Sequence, residues 1–125
     1  VNALTASNAV VIPCKTDYLS IMGIPLLMET IENVRRRANT GLKIVGILPT
    51  LFNARAAHDA EALQELRASV ASRRVEVFEP VNRSTVFDKA NVESKAALEL
   101  FPDSPGIEQY KVVAQKLIEL HASQK

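Results

Sequence analysis

Two loops that follow short apolar runs carry the residues whose chemistry could serve a ligand. The first covers residues 49–55 and follows the run 43–48, and the second covers residues 80–84 and follows the run 75–78. The run 43–48 is rich in β-branched residues and lacks polar alternation, which indicates a strand buried on both faces. Ligands of open parallel sheets bind outside the carboxyl ends of the strands. We therefore predict that any binding or catalysis takes place at these loops.

Candidate nucleophiles and metal ligands are few. Cys14 follows the first apolar run, but no histidine and acid stand in a pattern that would activate it, so a buried structural thiol is the favoured interpretation. Asp17, near the same strand end, could orient a ligand, although helix capping is favoured. His58 and His121 fit no zinc spacing and are interpreted as exposed helix residues. We predict no metal site and no catalytic residue.

Motifs that cradle phosphate are absent from the sequence. It contains neither G-x-x-x-x-G-K-[ST] nor G-x-G-x-x-G, and its four glycines are scattered. A nucleoside triphosphatase needs backbone amides arranged around the phosphates and a lysine that pairs with them. The chain alone is therefore not expected to hydrolyse ATP.

Four basic residues lie on or just after the predicted loops: Arg55, Arg83, Lys89 and Lys95. Such side chains neutralise phosphates, so they form a candidate patch for contacts with the DNA backbone. Two acids between them, Asp88 and Glu93, weaken that interpretation. The arginines at positions 35–37 are interpreted as a solvated helix end that complements the helix dipole, with phosphate binding as the less favoured alternative.

Apolar spacing predicts the elements that position these loops. Helical spacing covers residues 24–37 and 57–71, and Pro105 after Ser104 opens a last helix. Three apolar runs, at 9–12, 43–48 and 75–78, alternate with the helices, and Pro13 and Pro49 are interpreted as the ends of the first two strands. This order is typical of a parallel sheet. We predict an α/β fold of about three strands flanked by helices, in one unit spanning residues 1–125.

The amino-acid composition limits the kinds of binding partner and cellular setting that we expect. Lys and Arg number 15 against 14 Asp and Glu, so a net charge of +1 predicts no strong field toward nucleic acid beyond a local patch. One cysteine allows no internal disulfide and favours a cytoplasmic setting. No run approaches the roughly 18 apolar residues of a membrane span. The chain begins with Val1, and no strand precedes residue 9 to complete the sheet, so we expect a fragment of a larger protein and a tendency to self-associate.

Several segments of known type follow one another along almost the whole chain: residues 2–6, 10–13, 46–55 and 103–106, with Tyr18, Gly23 and Tyr110. In order and spacing they resemble the ParA/Soj family of chromosome- and plasmid-partitioning ATPases. The resemblance implies the C-terminal half of a P-loop NTPase-like parallel sheet, without the phosphate-binding half. For the intact protein it implies ATP and Mg as cofactors, a nucleotide-dependent homodimer, non-specific DNA binding, a ParB-like partner and a cytoplasmic, nucleoid-associated location. No cofactor is expected for this chain alone.

The same resemblance suggests site residues. The loops 49–55 and 80–83 match family segments near the adenine base, which makes Pro49, Asn53, Pro80 and Asn82 candidate nucleotide contacts, with a plain turn role equally open for the two asparagines. Arg83, Lys89 and Lys95 are the candidate DNA contacts. The family's usual proline and glycines after position 81 are missing here, which changes the predicted shape of the loop.

Two other function classes stay open from the sequence. One is a non-catalytic module that uses this half-fold to bind DNA or a partner chain. The other is an unrelated small α/β binding domain of flavodoxin-like type, which the resemblance disfavours. DNA binding that weakens steeply with salt would favour the module.

Overall fold

The computed structural model describes residues 2–123, except for the side chains at positions 2, 85, 88, 105 and 123. Within this range the helices and strands are, in chain order, α1 (Asn2–Ala6), β1 (Ala9–Lys15), α2 (Tyr18–Met22), α3 (Ile24–Arg37), β2 (Lys43–Thr50), α4 (Ala57–Val70), α5 (Thr85–Val92), α6 (Ala97–Leu100) and α7 (Pro105–Ser123). A 3-10 turn, Ala71–Arg73, extends α4. Val1 and the last two residues of the predicted unit lie outside the described range.

The sheet pairs β1 with β2 in parallel, from Ala9 opposite Lys43 to Lys15 opposite Thr50. Parallel strands need a long crossover connection, and α2 and α3 supply it. A bulge shifts the register between Val10 and Val11, so that Val45 has no direct partner on β1. The α/β class and the parallel direction predicted from the sequence are confirmed.

The predicted number of three strands is wrong, because the described part of the chain forms a two-stranded sheet. The third segment makes only isolated parallel bridges to β2 and the residues after it, at Ile47–Val77 and Phe52–Asn82. Prolines explain the interruption, since Pro49 and Pro80 have no N–H group to donate to a continuous ladder.

Pro13 and Pro49 do not end their strands as predicted. β1 continues to Lys15 and β2 to Thr50, with Pro13 opposite Leu48 and Pro49 opposite Cys14. A proline is tolerated inside a strand where its missing N–H would not have paired with the neighbour. The strand ends are instead held by the bond from Thr16 N to Thr50 O, at 3.1 Å.

Apolar residues pack on both faces of β2, which confirms the prediction of a strand buried on two sides. Ile47 belongs to a cluster with Ile12 and with buried residues of α3 and α4, among them Ile31 and Leu66. Leu48 points to the second cluster, with Phe78, Val81 and Val113 of α7. The carboxyl end of β2 is therefore fixed by packing from both sides.

The outer edge of β1 carries no strand among residues 2–123, because β1 pairs with β2 alone. No helix in the same range is long and apolar enough to cross a membrane.

Candidate functional site at the carboxyl edge of the sheet

A cavity of about 630 Å³ opens where β2 ends. We call it the carboxyl-edge cavity. Its walls come from Thr50 and Leu51, from the segment 81–84, and from Phe87 of α5 and Tyr110 of α7. Its size falls in the usual range for small-ligand sites. The edge predicted from the sequence therefore does carry a cavity formed by both predicted loops.

Leu51, which lines this cavity, has an unusual backbone conformation. Its φ of 54° lies in the left-handed region, which costs a residue with a Cβ roughly 1–2 kcal/mol. Its carbonyl oxygen accepts a bond from Thr16 Oγ1 at 3.2 Å and one from Arg83 Nε at 3.3 Å. The bond from Thr16 therefore connects the turn after β1 to the turn after β2, and it is shielded from water because Thr16 is buried. Residues in such conformations cluster at functional sites.

The segment beside Leu51 is fixed by backbone hydrogen bonds. Val81 N donates to Pro49 O at 2.8 Å, Phe52 N to Val81 O at 3.0 Å, and Arg83 N to Phe52 O at 2.8 Å. These bonds leave the Asn82 side chain exposed at the cavity wall. The second loop is thus rigid in its backbone and presents an amide, a guanidinium and the Ser84 hydroxyl.

Two aromatic rings close the cavity on the helix side. Phe87 and Tyr110 meet edge to face, with ring centroids 5.8 Å apart and planes at 73°. Gly106 packs closely against the first of these rings, because a Cβ there would lie 3.3 Å from Phe87 Cζ. Phe87 is half-buried and Tyr110 remains 44% exposed. An apolar wall with a few polar groups at its rim is typical of small-molecule sites.

The four candidate nucleotide contacts do not all reach the carboxyl-edge cavity. Asn82 lines it. Pro49 is fully buried, and Pro80 is half-buried outside the lining. Asn53 has a turn role, because its Oδ1 accepts the Arg55 N–H at 3.1 Å and its N–H is bound by Asp59 Oδ2 at 2.7 Å. Nucleotide contact stays a prediction for all four, and Asn82 is the best placed.

The three candidate DNA contacts are exposed but divided between two places. Arg83 lines the carboxyl-edge cavity. Lys89 borders a separate cavity on α5 together with Glu93, and Lys95 follows that helix, with its N–H bonded to Ala90 O at 3.1 Å. The Asp88 side chain lies outside the described residues. A DNA-binding role for these residues stays a prediction.

Cys14 and Asp17 have the structural roles that the sequence favoured. Cys14 is buried, and its Sγ donates to Lys15 O at 3.4 Å. Asp17 caps α2, because its carboxylate accepts the Ser20 N–H at 2.7 Å and the Ser20 hydroxyl at 3.0 Å. The backbone N–H of Ser20, followed by its hydroxyl, lowers the pKa of the Asp17 carboxyl.

Cys14 should resist alkylation while the chain is folded. Burial, followed by the charge of Asp17, raises the pKa of its thiol, so little reactive thiolate exists near pH 8. We expect iodoacetamide to modify the folded chain at least about 100-fold more slowly than the chain in denaturant, as measured by mass spectrometry. Because the thiol has a higher pKa in the folded than in the unfolded chain, its contribution to folding stability is greatest below about pH 8.5. That contribution is lost as the pH rises through the folded pKa. Equal labelling rates in the two states would contradict the burial of this thiol.

The remaining groups offer little for metal or acid–base chemistry. His58 and His121 are exposed on α4 and α7. Among residues 2–123, no group of three or more His, Cys, Asp or Glu side chains is placed to hold a metal ion.

Sequence reasoning missed three features of the cavity. No residue type or spacing in the sequence predicts the bond from Thr16 to the Leu51 carbonyl, the left-handed backbone of Leu51, or Phe87 as a wall of the cavity. Tyr110 is one of the residues that carry the ParA/Soj resemblance, but its contact with Phe87 depends on a tertiary approach of α5 and α7. The one available signal was Gly106 at the start of α7, which marks a close approach.

Known proteins resemble this chain in sequence. A family model described as an AAA domain matches residues 1–44. The sporulation initiation inhibitor protein Soj of Bacillus subtilis is 30% identical over 117 residues, which cover 94% of this chain and 46% of Soj. The chromosome partitioning protein ParA of Myxococcus xanthus is 36% identical over 81 residues, covering 65% of this chain and 29% of ParA. Over most of its length, this chain is similar to the ParA/Soj proteins.

Two solved proteins share the α/β fold of this chain. Cobyrinic acid a,c-diamide synthase from Mycobacterium smegmatis superposes with a TM-score of 0.67 at 27% identity, over 99% of this chain and 43% of that one. The same enzyme has been solved with an ATP analogue and magnesium. Apo McdA from Cyanothece gives a TM-score of 0.75 at 16% identity over 91% of this chain, which shows the fold alone. The chain spans about half the length, or less, of the relatives it matches.

Proposed function

We propose that this chain is the part of a ParA-like partition ATPase that contacts the adenine base of ATP and binds DNA. In the intact protein the carboxyl-edge cavity would take the adenine end of ATP, with Mg and the phosphates held by residues outside this sequence. The observation that supports this proposal is the cavity itself, at the edge where ligands of parallel sheets bind, walled by two aromatic rings and the exposed Asn82 amide.

The chain alone should not hydrolyse ATP. Its sequence has no glycine-rich phosphate loop and no lysine in such a motif, so it lacks the groups that would hold ATP phosphates for hydrolysis. ATPase activity of the purified chain above a protein-free blank would refute this part of the proposal.

DNA contact is proposed for Arg83, Lys89 and Lys95. If each neutralises about one phosphate, affinity for a duplex should fall about 40-fold between 50 and 200 mM salt. Replacing all three by alanine should weaken binding by at least about tenfold at the lower salt and flatten the salt slope. Fluorescence anisotropy of a labelled duplex of random sequence measures both quantities.

The matched control is Lys111→Ala, which removes one exposed cation from α7. Its effect on duplex affinity should stay within about twofold. If the triple variant binds as well as the unchanged chain, the DNA patch lies elsewhere. If the intact protein binds DNA equally well with and without nucleotide, the non-catalytic module is favoured instead.

Self-association is proposed through an apolar surface on α2 and the start of α3. Tyr18, Leu19, Met22 and Leu26 are between 58% and 82% exposed there, and contiguous exposed apolar surface is typical of an interface. A second copy is the proposed occupant, in line with the homodimer that the ParA/Soj resemblance implies. Sedimentation velocity should show the double variant Leu19→Asp/Leu26→Asp as a monomer at concentrations where the unchanged chain dimerises. Identical sedimentation of the two would remove this surface from the proposal.

A ParB-like partner and a nucleoid location in the cytoplasm complete the proposed function of the intact protein. Both depend on the similarity to Soj and ParA. A fluorescent fusion of the intact protein should follow the DNA stain, and it should become diffuse when the three DNA candidates are replaced. A fusion that stays diffuse without any substitution would contradict the location.

A further inference from the structure

A second concave site lies at the opposite end of the sheet, where β2 begins. This amino-edge cleft has a volume of about 410 Å³. Five cationic side chains line it: Arg35, Lys43, Arg73, Arg74 and Lys116. They belong to α3, β2, the turn after α4, and α7, so only the folded chain brings them together. One carboxylate, Glu32, shares the lining.

The charge in the amino-edge cleft is only partly balanced. Arg35 pairs with Glu32 at 3.3 Å and Lys116 with Glu76 at 3.8 Å, and all four side chains are more than a third exposed. Such exposed pairs are weak and exchange readily for a stronger anion. Among the side chains that the structure describes, Lys43, Arg73 and Arg74 have no carboxylate at ion-pair distance. A chain with a net charge of only +1 thus concentrates a third of its basic residues in one cleft.

Helix dipoles do not account for this cluster. Cations in the last turn of a helix complement its negative end, and Arg35 and Arg73 fit that explanation. Lys43 begins a strand, and Lys116 lies well inside α7. These two side chains reach the same cleft without any helix terminus to stabilise.

Arg74 adds a second, independent observation. Its φ of 56° and ψ of 36° are left-handed, in the position after a helical turn where glycine or asparagine is usual. Arginine is unfavourable in that conformation because of its Cβ. The chain nevertheless carries an arginine there, and this residue lines the cleft.

We propose that the amino-edge cleft binds a small anion with two or more linked phosphates. Guanidinium groups recognise phosphate oxygens in pairs, and lysines add point charge. The volume is in the small-ligand range. Along β2, this cleft lies about 20 Å from the carboxyl-edge cavity, so it is a separate site and does not belong to the proposed nucleotide pocket.

Inorganic triphosphate is the probe, because it has the phosphates and no base. In a ¹H–¹⁵N titration of the chain, the amide signals of Lys43, Val45 and Val75 should shift, while those of Leu51 and Asn82 should not. Calorimetry should show at least a tenfold weaker Kd for Arg73→Gln/Arg74→Gln. The matched controls Lys111→Gln and Arg83→Gln should change Kd by less than about twofold.

Arg74→Gly separates binding from folding. Glycine suits the left-handed backbone, so this variant should melt at the same temperature or higher while its Kd for triphosphate rises severalfold. Unchanged affinity in this variant and in the double variant would overturn the proposal. So would triphosphate shifts spread over every basic surface, or a cleft variant that weakens binding of a DNA duplex but not of triphosphate.

Discussion

Replacing Gly46 with alanine should lower the free energy of unfolding by about 3 kcal/mol. A Cβ at this position would lie 2.5 Å from Phe78 Cε2 and 2.9 Å from the carbonyl oxygen of Glu76. Neither neighbour can move freely, because Phe78 is buried and the Glu76 oxygen accepts the Ile47 N–H at 2.8 Å. Urea denaturation followed by circular dichroism measures the loss.

Gly41→Ala is the matched control for this prediction. A Cβ at Gly41 would meet only Asn39 Oδ1, at 4.0 Å, so the same methyl group should change stability by less than about 1 kcal/mol. Adding Phe78→Leu to Gly46→Ala should restore only part of the loss, since the contact with the Glu76 carbonyl remains. If the two alanine variants unfold at the same urea concentration, the close packing of Phe78 on β2 is refuted.

Leu66→Ala should cost a similar amount, about 3 kcal/mol, for the opposite reason. Leu66 is fully buried in α4, in the cluster that contains Ile47 and Ile31, so truncation leaves a cavity. α4 also carries Asp59, whose carboxylate holds the Asn53 N–H at 2.7 Å. The variant should therefore loosen the turn after β2 as well as lower stability, and hydrogen exchange at residues 51–55 would report that change.

Glu65→Ala provides the comparison on the same helix. Glu65 is exposed, and its replacement should change stability by no more than about 0.5 kcal/mol. Should Leu66→Ala and Glu65→Ala unfold alike, α4 would not pack on the sheet as described.

The strongest periodic patterns in the sequence predicted the fold well. Helical spacing over residues 24–37 predicts both ends of α3, and the apolar positions Met28, Ile31 and Val34 of this helix are buried. The buried strand β2 was also recognised from its β-branched residues. Such signals are local, since each residue's burial repeats with the period of its own element.

The third strand and the last helix show where local signals fail. Residues 75–78 have strand-like residues, but continuous pairing depends on donors that Pro49 and Pro80 lack. On α7 the apolar residues Leu117 and Ile118 recur at helical spacing, yet these side chains are 40% and 62% exposed, and Val113 is buried instead. Which face of α7 is covered is decided by the residues it packs against, Leu48 and Phe78, and not by its own pattern.

One of the two candidate sites lies where the sequence predicted ligand binding, and the other does not. The rule for ligands of parallel sheets points to the edge at which the carboxyl-edge cavity lies, whereas Asn53 bonds within its own turn. The amino-edge cleft had no sequence signal beyond the arginines at 35–37, because its cations come from four separate segments.

Adenosine binding tests the central claim most directly, namely that the carboxyl edge of β2 takes a purine. Adenosine has the base without phosphates, so it cannot be drawn to the amino-edge cleft by charge. At about 5 mM adenosine, a ¹H–¹⁵N spectrum of the chain should show shifts at Leu51, Asn82 and Arg83, and Asn82→Ala should reduce them. Shifts confined to Lys43 and Arg74, or no shifts at all, would contradict the account.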